Sequence, residues 1–222
     1  MPKRREITDR DLRKFVEEIT AVNNARAAKL QRYLDLVIGA QNRITKLGRL
    51  SSQIEESGDL LRAIVVLNHA YLEDFLRTLG RELLPECGEA TLNEIPIAKS
   101  GGRKEKFFLG RLSQFRGYMV DDLIDESVRE HLDKRSFTSS GDIAAFVEHL
   151  GFKLNATMKR QLRTIGNMIE RRHQIVHRAD RVVRSGNLKP QLQTIAVRPV
   201  IAWSLATSRF MVRLSQMHSN WR

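Results

Sequence analysis

Three side chains suited to proton transfer and phosphate binding lie close together in the segment IERRHQIVHRADR, residues 169–181. Arg172 is followed directly by His173, and His177 comes four residues later. A histidine with a pKa near neutrality can take the proton from a ribose 2′-hydroxyl or give one to a departing 5′-oxygen, and an arginine can stabilise charge that grows on a phosphate. Because RNA supplies its own nucleophile, these residue types suit RNA cleavage without a metal ion.

Arg172 occupies an unusual place in its predicted helix, which extends from about residue 156 to 184. Apolar residues recur there at three- and four-residue intervals, with one gap: Met158, Leu162, Ile165, Ile169, Val176, Ala179 and Val183. Position 172 fills that gap. A guanidinium stays protonated and is costly to bury alone, so Arg172 either pairs with a carboxylate in the core or faces a cleft or subunit seam that receives an anion.

Further titratable residues can support this site. His173 and His177 share one flank of the helix, and Glu170 and Asp180 are close enough in sequence to orient them. A second pair, His69 and Glu73, is four residues apart on another predicted helix, where it either lines the same cleft or forms an ordinary helix-surface pair.

The two histidines of the segment also have the spacing of a metal-binding pair. The zinc-protease pattern needs a glutamate directly after the first histidine, and that position is Gln174. We therefore expect no metal ligands and no cofactor here, with bound zinc as the observation that would revive this alternative.

The net charge of +12, from 38 Lys and Arg against 26 Asp and Glu, favours a polyanionic partner. RNA fits best, and an acidic protein is the alternative. Some of the cations expected to contact RNA lie within residues 169–181, called the signature segment below. Others lie in a glycine-rich basic stretch that can equally be a solvated connector. The six residues are Arg171, Arg178, Arg181, Arg103, Lys104 and Lys106.

The single cysteine, Cys87, rules out an intrachain disulfide and fits a reducing compartment. The basic start of the chain lacks the apolar run of a secretory signal, and no stretch is apolar enough to cross a membrane. We therefore expect a cytoplasmic protein without membrane contact.

Helical periodicity dominates, so the sequence predicts an all-α protein. Residues 1–222 are expected to form one domain, with a helical extension over 1–55 and a bundle core over 56–222. The sequence predicts a first helix capped by Thr8 or Asp9 and a second helix capped by Asp59. Three further helices are predicted at about 120–134, 143–150 and 156–184. An extended stretch near residue 191 and a final helix from about residue 200 follow.

The segment RRHQIVHR resembles the arginine, polar residue, three-residue spacer, histidine signature of the HEPN superfamily, and ERRHQIVHRAD is most similar to its RiboL-PSP-HEPN branch. The helix VVLNHAYLEDFLRTLGREL is similar to the second core helix of that family, so the resemblance covers about residues 60–220. It implies an all-α HEPN-like helical bundle, here with an additional N-terminal helix.

The resemblance also implies a homodimer that apposes its two signature helices, so that each composite site receives Arg172 and His177 from both subunits. The implied activity is metal-independent endoribonuclease, leaving a 2′,3′-cyclic phosphate, in toxin–antitoxin, phage-defence or RNA-processing systems, with an antitoxin or other regulatory protein as a further partner. The alternative is a non-catalytic HEPN-like dimer that binds RNA or a protein, because a fold does not fix a function.

Overall fold

The computed structural model describes residues 9–47, 51–98, 113, 115–182 and 191–218, and for residues 9–13, 41, 43–47, 51–56 and 218 it describes the backbone alone. Its helices are α1 (Asp9–Leu47), α2 (Ser51–Leu83), α3 (Glu89–Leu92), α4 (Val120–Lys134), α5 (Ser140–His149), α6 (Ala156–Arg178) and α7 (Val197–His218), with a 3₁₀ turn at Leu84–Glu86. Two short antiparallel strands, β1 (Arg181–Val182) and β2 (Gln191–Leu192), pair Arg181 with Leu192. The predicted all-α, HEPN-like bundle is confirmed.

Helix α2 is the central element, since it packs against α1, α4, α6 and α7. The apolar residues spaced at three and four along it are fully buried, among them Leu61, Ile64, Leu72 and Phe75. The helix begins at Ser51, so the prediction that Asp59 caps its N-terminus is wrong. Asp59 is a residue type that favours a helix N-terminus, but the helix continues past it. A glycine inside a helix costs only about 1 kcal/mol, so Gly58 does not end the helix.

Helix α1 lies along α2 and α7 and contributes to the same apolar core. Ile19, Leu30, Leu34 and Val37 are buried on its inner face. It continues through Gly39 without a break. Helix α1 therefore packs into the same hydrophobic core as the other helices.

Helix α6 begins after Asn155, whose side-chain oxygen accepts a hydrogen bond from the Met158 N–H at 2.9 Å. Its buried side, including Leu162, Ile165 and Ile169, confirms the first half of the predicted apolar stripe. The helix ends at Arg178 rather than near residue 184, because the next two residues have left-handed backbone conformations. The chain then turns into β1, so the stripe cannot continue along a helix.

Candidate active site

One side of α6 emerges from the core in its last two turns, while Ile175 on another side still packs against the core. Val176 lies seven residues after buried Ile169, which is two helical turns and therefore the same side of the helix. Its side chain is nevertheless 48% exposed. The apolar stripe thus runs out of the bundle and presents its end to the surroundings, next to the charged residues of the signature segment.

Arg172 lies at the edge of this emerging stripe, with a half-buried side chain. Among the residues that the structure describes, no carboxylate lies within ion-pair distance of its guanidinium, and its Nε is buried with no hydrogen-bond partner. The first of the two alternatives, a carboxylate partner in the core, is therefore not found among the described residues. A partly desolvated guanidinium with an unused donor is suited to receive an anion.

His173 and His177 are both exposed and lie side by side on the outer flank of α6. Their ring centroids are 4.4 Å apart and the rings are tilted by 45°. The four-residue spacing accounts for this contact, because residues four apart are neighbours on a helix surface. Both imidazoles are accessible to a ligand that reaches Arg172.

His69 is buried behind this surface and holds another part of the fold. Its Nε2 lies 3.0 Å from the Phe137 carbonyl oxygen, to which it donates, while Glu73 accepts a 3.1 Å hydrogen bond from the Phe137 N–H. Burial lowers the pKa of His69, opposed by the Phe137 hydrogen bond and by Glu73, and the nearby charge of Arg172 lowers it further. His69 and Glu73 thus fasten the α4–α5 connection to α2, and neither is exposed beside the two outer histidines.

A buried ion cluster, consisting of Arg62, Arg171 and Asp180, lies beneath the end of α6. Arg62 Nε and an Arg171 terminal nitrogen each donate to the same Asp180 carboxylate oxygen at 2.7 Å. The guanidinium of Arg62 also donates to the Gln193 carbonyl at 2.7 Å, and Arg171 reaches that carbonyl and the Thr194 carbonyl at 3.2 Å each. The cluster therefore ties α2, the end of α6 and the chain after β2 together.

This cluster changes the roles expected for two residues. Asp180 is only 1% exposed and binds two arginines, so it does not orient a histidine of the signature segment. Arg171 is 8% exposed, and burial lowers its pKa, with Asp180 opposing that effect. Its side chain is directed into the protein and not to the surface where RNA would lie.

The remaining predicted residues divide by position. Glu170 and Arg178 are exposed on α6, and Arg181 is exposed on β1. They lie within residues 169–181, and their side chains make no hydrogen bond or ion pair with the described residues. The three basic loop residues Arg103, Lys104 and Lys106 lie outside the described residues.

Sequence reasoning missed Arg62 as a member of the cluster. It lies next to Leu61 in a run that also contains buried Ile64, and an arginine in such a run signals a buried partner. The identity of that partner, 118 positions away in the chain, could not be read from local spacing.

The described residues also bear on two other possibilities, a bound metal ion and a membrane-spanning helix. Within the described part of the chain, no group of three or more His, Cys, Asp and Glu side chains is arranged to hold a metal ion. None of the described helices is long and apolar enough to cross a membrane.

Comparison with known proteins gives one match. The sequence model of the RiboL-PSP-HEPN family, a HEPN domain, matches residues 28–194. The matched range begins within α1, further toward the N-terminus than the resemblance noted from motifs alone, and it includes the signature segment. A search of curated proteins and a search of solved structures found no match.

Proposed function

Because this chain belongs to the RiboL-PSP-HEPN family, whose model spans more than half of its length, we propose that it is a metal-independent endoribonuclease. The observation that carries the proposal is the pairing of a half-buried arginine that lacks a carboxylate partner among the described residues with two exposed imidazoles. A structural arginine would be neutralised, as Arg171 is. Arg172 is left with its charge available for a phosphate.

The reaction follows from the nucleophile that RNA contains. The ribose 2′-oxygen attacks the adjacent phosphorus while its proton passes to a histidine acting as general base. The bond from phosphorus to the 5′-oxygen breaks, and a histidine acting as general acid protonates the departing oxygen. Arg172 stabilises the charge on the phosphate during this exchange. The products carry a 2′,3′-cyclic phosphate and a 5′-hydroxyl.

This geometry favours a site shared between two subunits. In an in-line displacement the attacking and leaving oxygens lie on opposite sides of the phosphorus. His173 and His177 lie on one flank of one helix with ring centroids 4.4 Å apart, so they approach a phosphate from the same side. A second copy of α6 would supply the histidine on the other side.

The emerging apolar stripe supports the same arrangement. Val176 stands exposed between Arg172 and His177 in sequence, where a second copy of the helix would cover it. Apposition of the two helices would bury apolar surface and enclose both arginines, which strengthens their interaction with a phosphate. We therefore propose a homodimer through the C-terminal half of α6.

The setting of this activity is inferred from the family resemblance and the charge of the chain. We propose toxin–antitoxin, phage-defence or RNA-processing systems in the cytoplasm, where a regulatory protein partner restrains cleavage. The single free cysteine, Cys87, agrees with a reducing compartment.

The proposal is tested by incubating purified protein with mixed cellular RNA in the presence of EDTA. Wild-type protein is expected to cleave, and His177→Ala protein is expected to bind without cleaving, since the acid–base group is lost. Analysis of the product ends should show cyclic phosphate, and a substrate with 2′-deoxyribose at the cleaved position should resist. If the wild type binds RNA but leaves it intact, the chain is a non-catalytic RNA-binding member of its family.

A further inference from the structure

A groove of about 560 Å³ lies between the first half of α6 and the middle of α7. The α7 side of the groove includes two small residues, Ala202 and Ala206, which leave space between the helices. Arg160, Arg209 and Arg213 line the groove, and all three are exposed. This α6–α7 groove is separate from the signature segment, because Arg160 and Arg172 are twelve positions apart, about 18 Å along the helix.

The charge of the groove is not neutralised by nearby acids. Helix α7 contains no Asp or Glu, and α6 contains only Glu170, about 15 Å along the helix from Arg160. Within the described residues, none of the three groove arginines has a hydrogen-bonded or ion-paired carboxylate. Arg209 and Arg213 are four residues apart, where like charges repel. No carboxylate among the described residues pairs with either arginine to offset this repulsion.

A second, independent feature lies in the groove wall. The side chain of Gln161 is 9% exposed, and its Oε1 is buried with no hydrogen-bond partner among the described residues. Burying an amide oxygen without a donor destabilises a folded protein. Gln161 also lines the groove, and rotation of its side chain would present this oxygen to a ligand that carries a hydroxyl or amide donor.

We propose that the α6–α7 groove binds the ribose–phosphate backbone of RNA, with the three arginines on phosphates and Gln161 on a ribose 2′-hydroxyl. This rests on the proposed function, since it gives the same enzyme a second contact with its substrate. RNA fits better than an acidic protein because it offers regularly spaced anions together with a hydroxyl donor at every nucleotide. Among the described residues no aromatic side chain lines the groove, so the proposed contacts are to the RNA backbone and involve no base stacking.

The decisive experiment measures binding in a protein that cannot cleave. Fluorescence anisotropy with a labelled single-stranded RNA of about 16 nucleotides, a length of the order of a single-strand binding site, compares His177→Ala protein with the same protein carrying Arg209→Gln and Arg213→Gln. The groove variant should bind about tenfold more weakly at 0.1 M salt. The slope of log affinity against log salt should fall by about 1.4, because two phosphate contacts are lost.

The matched control removes the same charge elsewhere. Arg32 and Arg129 are exposed on α1 and α4 and do not line the groove, so Arg32→Gln with Arg129→Gln should leave the affinity within about twofold. Equal weakening by the control pair and the groove pair would overturn the proposal, since the effect would then be one of net charge. Unchanged RNA affinity in the groove pair, with lost binding of polyglutamate, would overturn it in favour of an acidic protein partner.

Gln161→Leu tests the ribose contact. Because it removes an unsatisfied buried oxygen, the variant should unfold at a higher temperature than its parent. It should also lose preference for RNA over single-stranded DNA of the same sequence, since DNA lacks the 2′-hydroxyl. An unchanged RNA-to-DNA affinity ratio would remove Gln161 from the proposal.

Failure of the groove and failure of the proposed function give different results. In cleavage-competent protein, the groove pair should raise KM for RNA. Cleavage that depends on His177 together with affinity that does not depend on the groove would overturn the groove alone. Groove-dependent binding by a wild type that never cleaves RNA would overturn the nuclease and keep the groove.

Discussion

Arg171 and Arg172 are adjacent on α6, yet they enter two different environments. Arg171 turns into the bundle, shares the Asp180 carboxylate with Arg62, and reaches two backbone carbonyls. Arg172 is half-buried and has no carboxylate partner among the described residues. The same side chain therefore stabilises the fold in one position and leaves an available positive charge in the next.

The cause of this difference is the geometry of the helix. Consecutive residues are separated by about 100° around the helix axis, so one can face the core while the next faces a cleft. The buried ion cluster fixes the end of α6 against α2 and the chain after β2. That attachment holds the signature residues in place without using them.

The largest expected effect on stability comes from breaking the buried ion cluster. Asp180→Asn removes the negative charge between two buried guanidiniums, which should lower the free energy of unfolding by about 3–5 kcal/mol. Urea denaturation followed by circular dichroism measures this directly. RNA cleavage per folded molecule should change little. A parallel loss of cleavage and stability would contradict the separation of the buried ion cluster from the site at Arg172.

The second prediction concerns the exposed end of the stripe. Val176→Asp should weaken dimerisation by tenfold or more, equivalent to about 1.4 kcal/mol, because a charge replaces an apolar side chain at the proposed interface. The monomer should keep its stability within about 0.5 kcal/mol, since Val176 is exposed. Sedimentation equilibrium gives the dissociation constant.

Leu36→Asp is the control for that prediction, because Leu36 is a large exposed apolar residue on α1, far from the signature segment in sequence. It should leave dimerisation unchanged. An equal weakening by both substitutions, or by neither, would place the subunit contact elsewhere.

The sequence predicted the buried side of α6 and the neighbouring histidines, but not which of the two adjacent arginines is paired with a carboxylate. Periodicity identified the buried side of α6, the four-residue spacing identified the histidine pair, and α4 was predicted with its observed bounds, because all three depend on residues close in the chain. Which of two neighbouring arginines is neutralised depends on tertiary contacts. Arg62 and Asp180 are 118 positions apart, so no local pattern connects them.

Local signals also gave two errors of boundary. Asp59 has the chemistry of a helix cap but lies inside α2, where its carboxylate is 3.1 Å from an Arg62 nitrogen. The stripe of α6 was extended through Ala179, which in the structure has a left-handed backbone and lies beyond the helix end. Both positions lie beside residues of the buried ion cluster, Arg62 and Asp180, whose contacts join distant parts of the chain and are not visible in a local pattern.

A smaller effect is expected in the pH dependence of stability. Burial lowers the pKa of His69 and of His131 below the value of about 6.5 that an unfolded chain has. The unfolded state therefore binds more protons as the pH falls below 6.5, and stability is lost through that window and down to the folded pKa values. Above pH 6.5 the contribution is fully present.

His69→Gln keeps a donor for the Phe137 carbonyl but does not titrate, so its stability should depend less on pH below 6.5. The double variant with His131→Gln should be flatter still. Unfolding midpoints measured between pH 7.5 and pH 5 test this, and an undiminished acid loss in the double variant would contradict it.

The smallest effect is expected at an exposed ion pair of the same chemistry. Arg26 and Asp74 are 2.6 Å apart across α1 and α2, and the Asp74 side chain is about half exposed. Asp74→Asn should cost at most about 1 kcal/mol in the free energy of unfolding, since water already solvates both charges. A loss as large as that of Asp180→Asn would show that burial does not set the strength of these pairs.

The most direct test compares Arg171→Gln with Arg172→Gln, measuring RNA cleavage with EDTA per folded molecule together with the unfolding midpoint of each protein. Arg172→Gln is predicted to lose about 100-fold or more in cleavage rate while unfolding near the wild-type temperature. Arg171→Gln is predicted to unfold at a lower temperature and to retain the wild-type rate within about threefold when folded. Wild-type cleavage by Arg172→Gln, or a cleavage rate that follows stability in both proteins, would contradict the account.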